Sequence, residues 1–504
     1  MNKALPIMLQ GTHSDAGKSV ITTAFCRIFA QDGFKTAPFK SQNMALNSYI
    51  TIDGKEIGRA QGVQAEAAGI AATTDMNPIL IKPSRDYESQ IVVHGKVFET
   101  MKAGDYRKDF FKMGVKLIQE SLQVLSEGYE RIVIEGAGSP AEINLMDREL
   151  VNMRVARIAN APVILIGDID KGGVFASLVG TLQLLNPEDR ERVIGVIINK
   201  FRGDVSLLQP GLDWFEEYTG KKVLGVVPYI RNLAIDAEDS LVLNQYTSDK
   251  HVEKEIDIVV IQYPRISNFT DAEPFFAEPD CDVRYVTRAD QVHEPDLILL
   301  PGSKNTIEDL MFLQESGIAE KLLDLHKKKK SCIFGICGGY QMLGEKIFDP
   351  LRVESPYEKI EGLGLLPVRT VMTEEKTTVL SKGQASFAQQ GFAVTGYEIH
   401  MGETIALDNH TFIQTEGGVD GCKSEDERVV GTYFHGIFHN DALRETVLNT
   451  IRQHKGLDPI NQRVTFNELR EAEYDRVAEH VRKHVDFAFI NKKMEEFQTK
   501  EIAK

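Results

Sequence analysis

Two segments of the 504-residue chain carry residue types that could do chemistry. One is a glycine-containing loop from Gly11 to Ser19, and the other places Cys337 among small residues. A loop of the first kind holds phosphate groups with its backbone N–H groups. A cysteine in the second setting can attack a carbonyl carbon. The sequence therefore presents a phosphate site and a thiol nucleophile, far apart along one chain.

The loop reads GTHSDAGKS and lies between a short apolar run and a segment of helical periodicity. A strand, a glycine loop and a helix N-terminus in this order surround phosphate oxygens with N–H donors. Lys18 would reach the terminal phosphates, and Ser19 would contact Mg²⁺. The alternative is a simple glycine-rich turn, which the Gly-Lys-Ser ending disfavours. The predicted nucleotide site contains Gly11, Thr12, Asp15, Ala16, Gly17, Lys18 and Ser19.

Polar residues at the ends of three predicted strands could complete the nucleotide site. Glu135 and Asp168 each end an apolar run, where a carboxylate can hold the metal ion of a phosphate loop. Either could instead cap a helix. We predict Glu135 and Ser19 as the Mg²⁺ ligands. Asn199 ends a third run and is predicted to contact a nucleotide base, although an Asn at this place can also be a turn residue.

The cysteine lies in the segment IFGICGGYQMLG, where a predicted strand turns into a helix. Glycines at Gly335, Gly338 and Gly339 permit a sharp turn that presents the sulfur at a helix N-terminus, where the dipole favours the thiolate. An isolated cysteine is more often a buried core residue. The glycines around Cys337 favour the reactive interpretation, whereas Cys332 just upstream is predicted to be of the buried kind.

A thiolate nucleophile needs a base and donors for the oxyanion. His435, at the end of a strand-like run, is the predicted base, and His439 is the alternative. The loop after another buried run contains Gly302, whose N–H could join that of Gly338 in stabilising a tetrahedral intermediate. We therefore predict Cys337 and His435 as catalytic residues and the two glycines as the oxyanion site.

Short apolar runs alternate with helical segments along most of the chain. Continuous runs of this kind are strands covered on both faces, which predicts an α/β protein of two doubly wound domains with mainly parallel sheets. A polar stretch separates the domains, and the end of the chain is helical and charged. The predicted ranges are 1–245 for the phosphate-loop domain, 246–254 for a linker, 255–445 for the second domain and 446–504 for a C-terminal helical extension.

Composition and charge exclude several classes of partner. The chain has 58 Lys and Arg against 74 Asp and Glu, a formal net charge of −16, so no global field attracts nucleic acid or anionic lipid. No apolar run is long enough to span a bilayer. The five cysteines lack CxxC spacing, which argues against disulfides and structural zinc and favours the cytoplasm.

From about 255 to 445 the chain resembles the class I glutamine amidotransferases, in which such a cysteine attacks the side-chain amide of glutamine and releases ammonia. Most members place an acid two residues after the histidine. Here that position is Ile437, as in the CobB/CobQ branch, so the group that orients His435 stays unassigned. The five residues between Gly11 and Gly17 resemble the longer loop of dethiobiotin synthetase, a P-loop NTPase-like domain.

Five further segments are distinctive, namely KSQNMALNS from Lys40, MNPIL from Met76, EGAGSPAEIN from Glu135, DIDKGGVF from Asp168 and GYEIHMG from Gly396. With these segments, nearly the whole chain resembles the corrinoid amidases of the CobB/CobQ family. The resemblance implies ATP- and Mg²⁺-dependent amidation, with glutamine as nitrogen donor, of the b, d, e and g carboxylates of adenosylcobyrinic acid a,c-diamide to give adenosylcobyric acid. The substrate is then a small corrinoid, and no protein-bound cobalt is expected because the 12 histidines are dispersed.

Two other functions stay open at this point. The branch that forms the a,c-diamide itself shares both domains, and the segments from Lys40 and Glu135 favour the first branch. A non-catalytic P-loop scaffold with an inactive amidotransferase domain is the alternative from a different class, which intact Cys337 and His435 disfavour. A homo-oligomer is compatible with all of these readings.

Overall fold

The computed structural model describes residues 4–85, 87–231, 233 and 254–502. They form two compact units. The first contains the described residues of 1–45, 56–238 and 470–504, and the second those of 46–55 and 239–469. The predicted linker 246–254 lies outside the described residues except for Lys254. No helix in these ranges combines the length and apolarity needed to cross a bilayer.

The N-terminal half alternates strands and helices. Its strands are β1 (Leu5–Gly11), β2 (Thr36–Phe39), β3 (Gln42–Met44), β4 (Ser48–Ile50), β5 (Glu56–Gly58), β6 (Ile79–Arg85), β7 (Glu88–Val93), β8 (Lys96–Lys102), β9 (Arg131–Glu135), β10 (Val163–Asp168), β11 (Val193–Phe201) and β12 (Lys222–Pro228). Its helices are α1 (Lys18–Gln31), α2 (Arg59–Ala67), α3 (Ala103–Asp105), α4 (Phe111–Gly128), α5 (Met153–Ile158), α6 (Val174–Leu184), α7 (Pro187–Arg192) and α8 (Val205–Thr219).

The first unit is built on a parallel sheet in the order β12-β11-β10-β1-β9-β2. Every residue of β9 and β10 is buried, as expected for runs covered on both faces. In β1 and β9, Leu9 pairs with Glu135, so the loop after β1 and the carboxylate that ends β9 lie at one edge of the sheet. The predicted parallel sheet is confirmed. A second sheet, β3-β6-β7-β8, was not predicted.

The strands of the C-terminal half are β13 (Ile256–Ile261), β14 (Ile266–Ser267), β15 (Cys281–Val286), β16 (Leu297–Leu300), β17 (Gly302–Ser303), β18 (Cys332–Ile336), β19 (Lys346–Phe348), β20 (Lys359–Glu361), β21 (Val368–Phe387), β22 (Gln390–Ala406), β23 (Thr411–Thr415), β24 (Gly418–Lys423) and β25 (Val429–Thr432). Its helices are α9 (Glu273–Phe276), α10 (Ala289–Val292), α11 (Thr306–Glu315), α12 (Ile318–Lys327), α13 (Gly338–Leu343), α14 (Asp441–His454), α15 (Phe466–His484) and α16 (Phe487–Ile502).

The sheet of the second unit is mixed. Its strands β15-β13-β16-β18-β25 are parallel, as predicted, and they bring the ends of β16, β18 and β25 to one edge. The strands beyond β25 are largely antiparallel and include the long hairpin of β21 and β22. Much of this hairpin is exposed on one face and lacks a continuous apolar run, so the pattern of buried strands does not predict it as a whole.

The predicted domain boundaries differ from the structure at two places. Residues 46–55 pack with the second unit, although they lie far from it in sequence. Residues from Arg470 onward pack with the first unit, where Val477, Val481 and Ile490 share a buried core with Phe25 of α1. The predicted C-terminal extension is therefore divided: its first part belongs to the second unit, and α16 with most of α15 completes the hydrophobic core of the first.

Candidate active site

Cys337 lies at the corner between β18 and α13. Its φ of 54° is positive, which is strained for a residue with a Cβ. A Cβ added to Gly339 would collide with the carbonyl oxygen of Leu300, and one added to Gly335 would lie 2.6 Å from the carbonyl oxygen of Gly339. The small residues around the cysteine are therefore what allows the strand to turn so sharply into the helix. The Sγ atom lies 3.4 Å from the carbonyl oxygen of Ile399, and only 6% of the residue is exposed.

His435 follows β25 and is fully buried. Its Nδ1 lies 2.8 Å from Oδ2 of Asp271, while Oδ1 of the same carboxylate accepts a hydrogen bond from the N–H of Gly436 at 2.6 Å. Burial alone would lower the pKa of the imidazole, but Asp271 and Cys337 raise it to about 10. Gly302 packs against the imidazole and Ser303 packs against Gly338, the residue that follows Cys337, so the predicted nucleophile and base lie at the same loop.

Sequence reasoning missed Asp271. It lies 164 positions before His435, in a 3₁₀ turn over Phe269–Ala272, and no motif marks it. The alternative base, His439, packs its ring against Phe466, with ring centroids 4.9 Å apart. Tyr397, from the GYEIHMG segment, stacks on His435 at 5.0 Å and exchanges backbone hydrogen bonds with it.

The two predicted oxyanion glycines lie beside the cysteine and the histidine. A Cβ on Gly302 would be 3.1 Å from Cε1 of His435, and one on Gly338 would be 2.9 Å from the backbone nitrogen of Ser303. The loop that contains Gly302 is fixed by a hydrogen bond of 2.5 Å from the Ser303 hydroxyl to the carboxylate of Asp309. Burial raises the pKa of Asp309 to about 7. This packing leaves room only for glycine at both positions and brings their backbone close to the reacting groups.

In the first unit, the loop Gly11–Ser19 folds as a strand-loop-helix turn. Gly17 has a φ of 94°, a conformation that favours glycine, and α1 begins at Lys18. The Lys18 ammonium donates to the carbonyl oxygens of His13 at 3.0 Å and Gly138 at 3.3 Å. It is thus held over the loop, in the place where a phosphate-binding lysine is expected.

The carboxylate of Glu135 accepts hydrogen bonds from three side chains. Its Oε1 accepts the Ser19 hydroxyl at 2.9 Å and the Lys40 ammonium at 3.0 Å, and its Oε2 accepts the Gln64 amide at 2.5 Å. Sequence reasoning left Lys40 without a role, although it directly follows β2, the strand next to β9. A serine hydroxyl and a carboxylate side by side are the hard oxygen donors that Mg²⁺ prefers, so the residues fit this ion.

Asn199 and Asp168, the other two residues predicted at strand ends, lie at the phosphate loop and help to hold it. The Asn199 amide donates to the carbonyl oxygen of Ala16 at 3.0 Å, so in this structure it holds the loop, and its contact with a base stays a prediction. Lys200 donates to Asp168 at 2.8 Å and to the carbonyl oxygen of Asp15 at 2.6 Å. Burial by itself raises the pKa of Asp168, but Lys200 holds it below its ordinary value.

Clusters of three or more His, Cys, Asp or Glu side chains suited to a metal ion are absent from the described part of the chain. Any ion at the phosphate loop would therefore need ligands beyond these residue types. The Ser19 hydroxyl together with the Glu135 carboxylate is such a mixed set, and Mg²⁺ commonly completes its shell with water and substrate phosphates.

Known protein families match both units. Residues 257–443 match the CobB/CobQ-like glutamine amidotransferase domain, and residues 7–257 match the CobQ/CobB/MinD/ParA nucleotide binding domain. The chain is 64% identical over 503 residues to a cobyric acid synthase of Geobacillus sp. (strain WCH70), covering 100% of each chain. It is 63% identical over 498 residues to that of Anoxybacillus flavithermus (strain DSM 21510 / WK1), covering 99% of each.

Two further matches are more distant. A cobyric acid synthase of Caldanaerobacter subterraneus subsp. tengcongensis is 49% identical over 512 residues, covering 99% of this chain and 100% of its own. Among solved structures, a glutamine amidotransferase covers 40% of this chain and 99% of its own at 13% identity, with a TM-score of 0.30.

Proposed function

This chain belongs to the family of cobyric acid synthases, and from that premise we propose that it uses ATP and glutamine to amidate the b, d, e and g carboxylates of adenosylcobyrinic acid a,c-diamide. The product is adenosylcobyric acid, in cobalamin biosynthesis. The observation that carries the proposal is the elbow in which Cys337 lies beside a histidine held by a buried carboxylate. It supports a glutamine-hydrolysing carbon–nitrogen ligase rather than a binding scaffold.

A carboxylate is a poor acylating agent, because its oxygen must first become a good leaving group. In the first unit, the carboxylate oxygen of the substrate attacks the γ-phosphorus of ATP, ADP leaves, and an acyl phosphate forms. Lys18 neutralises charge on the transferred group, and the N–H groups of residues 11–19 hold the phosphates in line. Ser19 and Glu135 would hold Mg²⁺, which supplies further charge neutralisation when bound.

In the second unit, His435 takes the thiol proton of Cys337, and the sulfur attacks the side-chain amide carbon of glutamine. The N–H groups of Gly302 and Gly338 stabilise the resulting oxyanion. His435 then returns the proton to nitrogen as ammonia leaves and a thioester forms. Water, activated by His435, hydrolyses the thioester to glutamate and restores the thiol.

Ammonia attacks the carbonyl carbon of the acyl phosphate and inorganic phosphate leaves, which completes one amide. The five cysteines are free, which supports a reducing cytoplasm as the compartment where this chemistry takes place. The three relatives reported above match along nearly their full length and are cobyric acid synthases, which favours the b, d, e and g carboxylates over a and c.

Mass spectrometry of the corrinoid tests the proposal. The purified enzyme is incubated with ATP, Mg²⁺ and glutamine, and with either adenosylcobyrinic acid or its a,c-diamide. We expect the a,c-diamide to pass through successive species, each lighter by the difference between a hydroxyl and an amino group, until no unmodified b, d, e or g carboxylate is left. Amidation of adenosylcobyrinic acid at a and c, with the diamide unchanged, would contradict the proposal.

A further inference from the structure

The residue that usually orients the histidine of a class I glutaminase is missing here, because position 437 is a buried isoleucine. We propose that Asp271 is the positioning residue of His435, and that residues 46–55 hold the turn that carries Asp271 through a contact between Ser48 and Asn268. The inference rests on the proposed glutaminase function of Cys337 and His435.

The carboxylate of Asp271 makes two contacts that together fix the imidazole. Its Oδ2 lies 2.8 Å from Nδ1 of His435, and its Oδ1 accepts the N–H of Gly436, the next residue along the chain. A carboxylate that accepts the Nδ1 proton leaves Nε2 as the nitrogen that exchanges a proton with the thiol, and it stabilises the imidazolium that forms when Nε2 takes that proton. That nitrogen forms no other hydrogen bond within the described residues, so it is available to the thiol of Cys337.

Because His435 is buried, a neighbouring negative charge acts strongly on its imidazole. The imidazole is fully buried and the Asp271 side chain is 3% exposed, so water screens their interaction weakly. The titratable groups near the ring are the Cys337 thiol, Asp271, Glu398 and the stacked Tyr397. Burial raises the pKa of Glu398, but His400, Ser381 and His435 hold it below its ordinary value.

The turn that carries Asp271 is held by a residue distant in sequence. Asn268 begins this turn with a φ of 50°, a left-handed conformation that Asn, Asp and Gly adopt most easily. Its side-chain Oδ1 accepts the N–H of Ser48 at 2.9 Å, and both residues are buried. Ser48 lies on β4 within residues 46–55, which pack in the second unit. Residues 46–55 therefore help to hold the turn that carries Asp271, and through it the glutaminase histidine. Ser48 precedes His435 by nearly 400 positions in the sequence.

The first test compares Asp271→Asn and Asp271→Ala with the unchanged enzyme, using glutamine and then ammonium chloride as nitrogen source. We expect glutamine-dependent kcat to fall about 100-fold or more, because the tautomer of His435 is no longer set. Ammonia-dependent amidation should stay unchanged. As a matched control, Asp257→Asn removes another buried carboxylate of the same unit, one that pairs with Arg284.

A purely structural role of Asp271 would not change the chemistry of the thiol. The rate at which iodoacetamide alkylates Cys337 is therefore followed against pH. We expect the pH profile of both Asp271 variants to differ from that of the unchanged enzyme, and the Asp257→Asn profile to match it. Equal glutamine-dependent kcat in Asp271→Asn and the unchanged enzyme, equal loss with both nitrogen sources, or an unaltered alkylation profile would each overturn the role of Asp271.

The second test uses a pair of variants at Asn268. Both Asn268→Asp and Asn268→Gly tolerate the left-handed backbone, but only the aspartate keeps an oxygen that can accept the N–H of Ser48. We expect the glycine variant to lose glutamine-dependent activity several-fold and the aspartate variant to retain it, with ammonia-dependent activity equal in both. Equal glutamine-dependent activity in the two variants would overturn the role of residues 46–55.

The failure of this inference can be told apart from failure of the proposed function. If Cys337→Ala still amidates with glutamine, the glutaminase assignment itself is wrong. If Cys337→Ala is inactive with glutamine while Asp271→Asn is fully active, only the positioning role of Asp271 is wrong.

Discussion

The Lys40 ammonium lies 3.0 Å from Oε1 of Glu135, and both side chains are buried. The lysine directly follows β2 and the carboxylate ends β9, the neighbouring strand of the parallel sheet. The pair sits beside Ser19, at the start of the helix that follows the phosphate loop. In this buried place each charge offsets part of the cost of burying the other.

Replacing Lys40 by methionine should leave Glu135 as an uncompensated buried charge. We expect a loss of about 3–5 kcal/mol in the free energy of unfolding and loss of ATP-dependent amidation with either nitrogen source. Urea unfolding and ammonia-dependent amidation measure the two effects. The double variant Lys40→Met, Glu135→Gln should unfold less easily than Lys40→Met alone, and wild-type amidation by Lys40→Met would rule out a role for the lysine.

The backbone at the cysteine corner gives a second prediction. A Cβ at Gly339 would meet the backbone oxygen of Leu300, which cannot move as the end of a side chain can. Gly339→Ala should therefore destabilise the second unit by about 1–3 kcal/mol and reduce alkylation of Cys337 by iodoacetamide. Gly391→Ala is the control, since a Cβ there has nothing within 4 Å. Equal melting temperatures of the two variants would contradict the packing described here.

Much of both sites could be predicted from sequence, because a phosphate loop and a nucleophile elbow are each formed by a few consecutive residues. The glycines around Cys337 and the ending Gly17-Lys18-Ser19 have their meaning within a few residues of each other. Asp271 could not be found in this way. It reaches His435 only because the turn over Phe269–Ala272 lies against His435 and Gly436, which depends on the tertiary fold.

The same reason explains why the compact units differ from the predicted ranges at two places. Residues 46–55 continue a segment that belongs to the first unit, and nothing in their composition shows that they pack with the second. The charged sequence of α16 does not show the surface against which this helix docks, and in the structure Ile490 and Met494 are buried in a core shared with α1. An amphipathic pattern identifies a buried face but not the surface against which it packs.

Protonation of His435 should make stability depend on pH. Its pKa in the folded protein is about 10, against an ordinary value of 6.5. The charged form therefore contributes stability fully below 6.5, and the contribution is lost as the pH rises toward 10. We expect the difference in free energy of unfolding between the unchanged enzyme and His435→Gln to shrink over this range. A difference that grows with pH would show that Asp271 does not hold a charged imidazole.

The central claim is that one chain contains two separable chemistries, a thiol that releases ammonia and a phosphate loop that activates carboxylates. The most direct measurement counts amides on the corrinoid by mass spectrometry for Cys337→Ala and Lys18→Ala, each supplied with ATP and with either glutamine or ammonium chloride. We predict that Cys337→Ala forms amides only from ammonium chloride and that Lys18→Ala forms none from either source. Amides formed from glutamine by Cys337→Ala, or amidation by Lys18→Ala at the rate of the unchanged enzyme, would contradict the account.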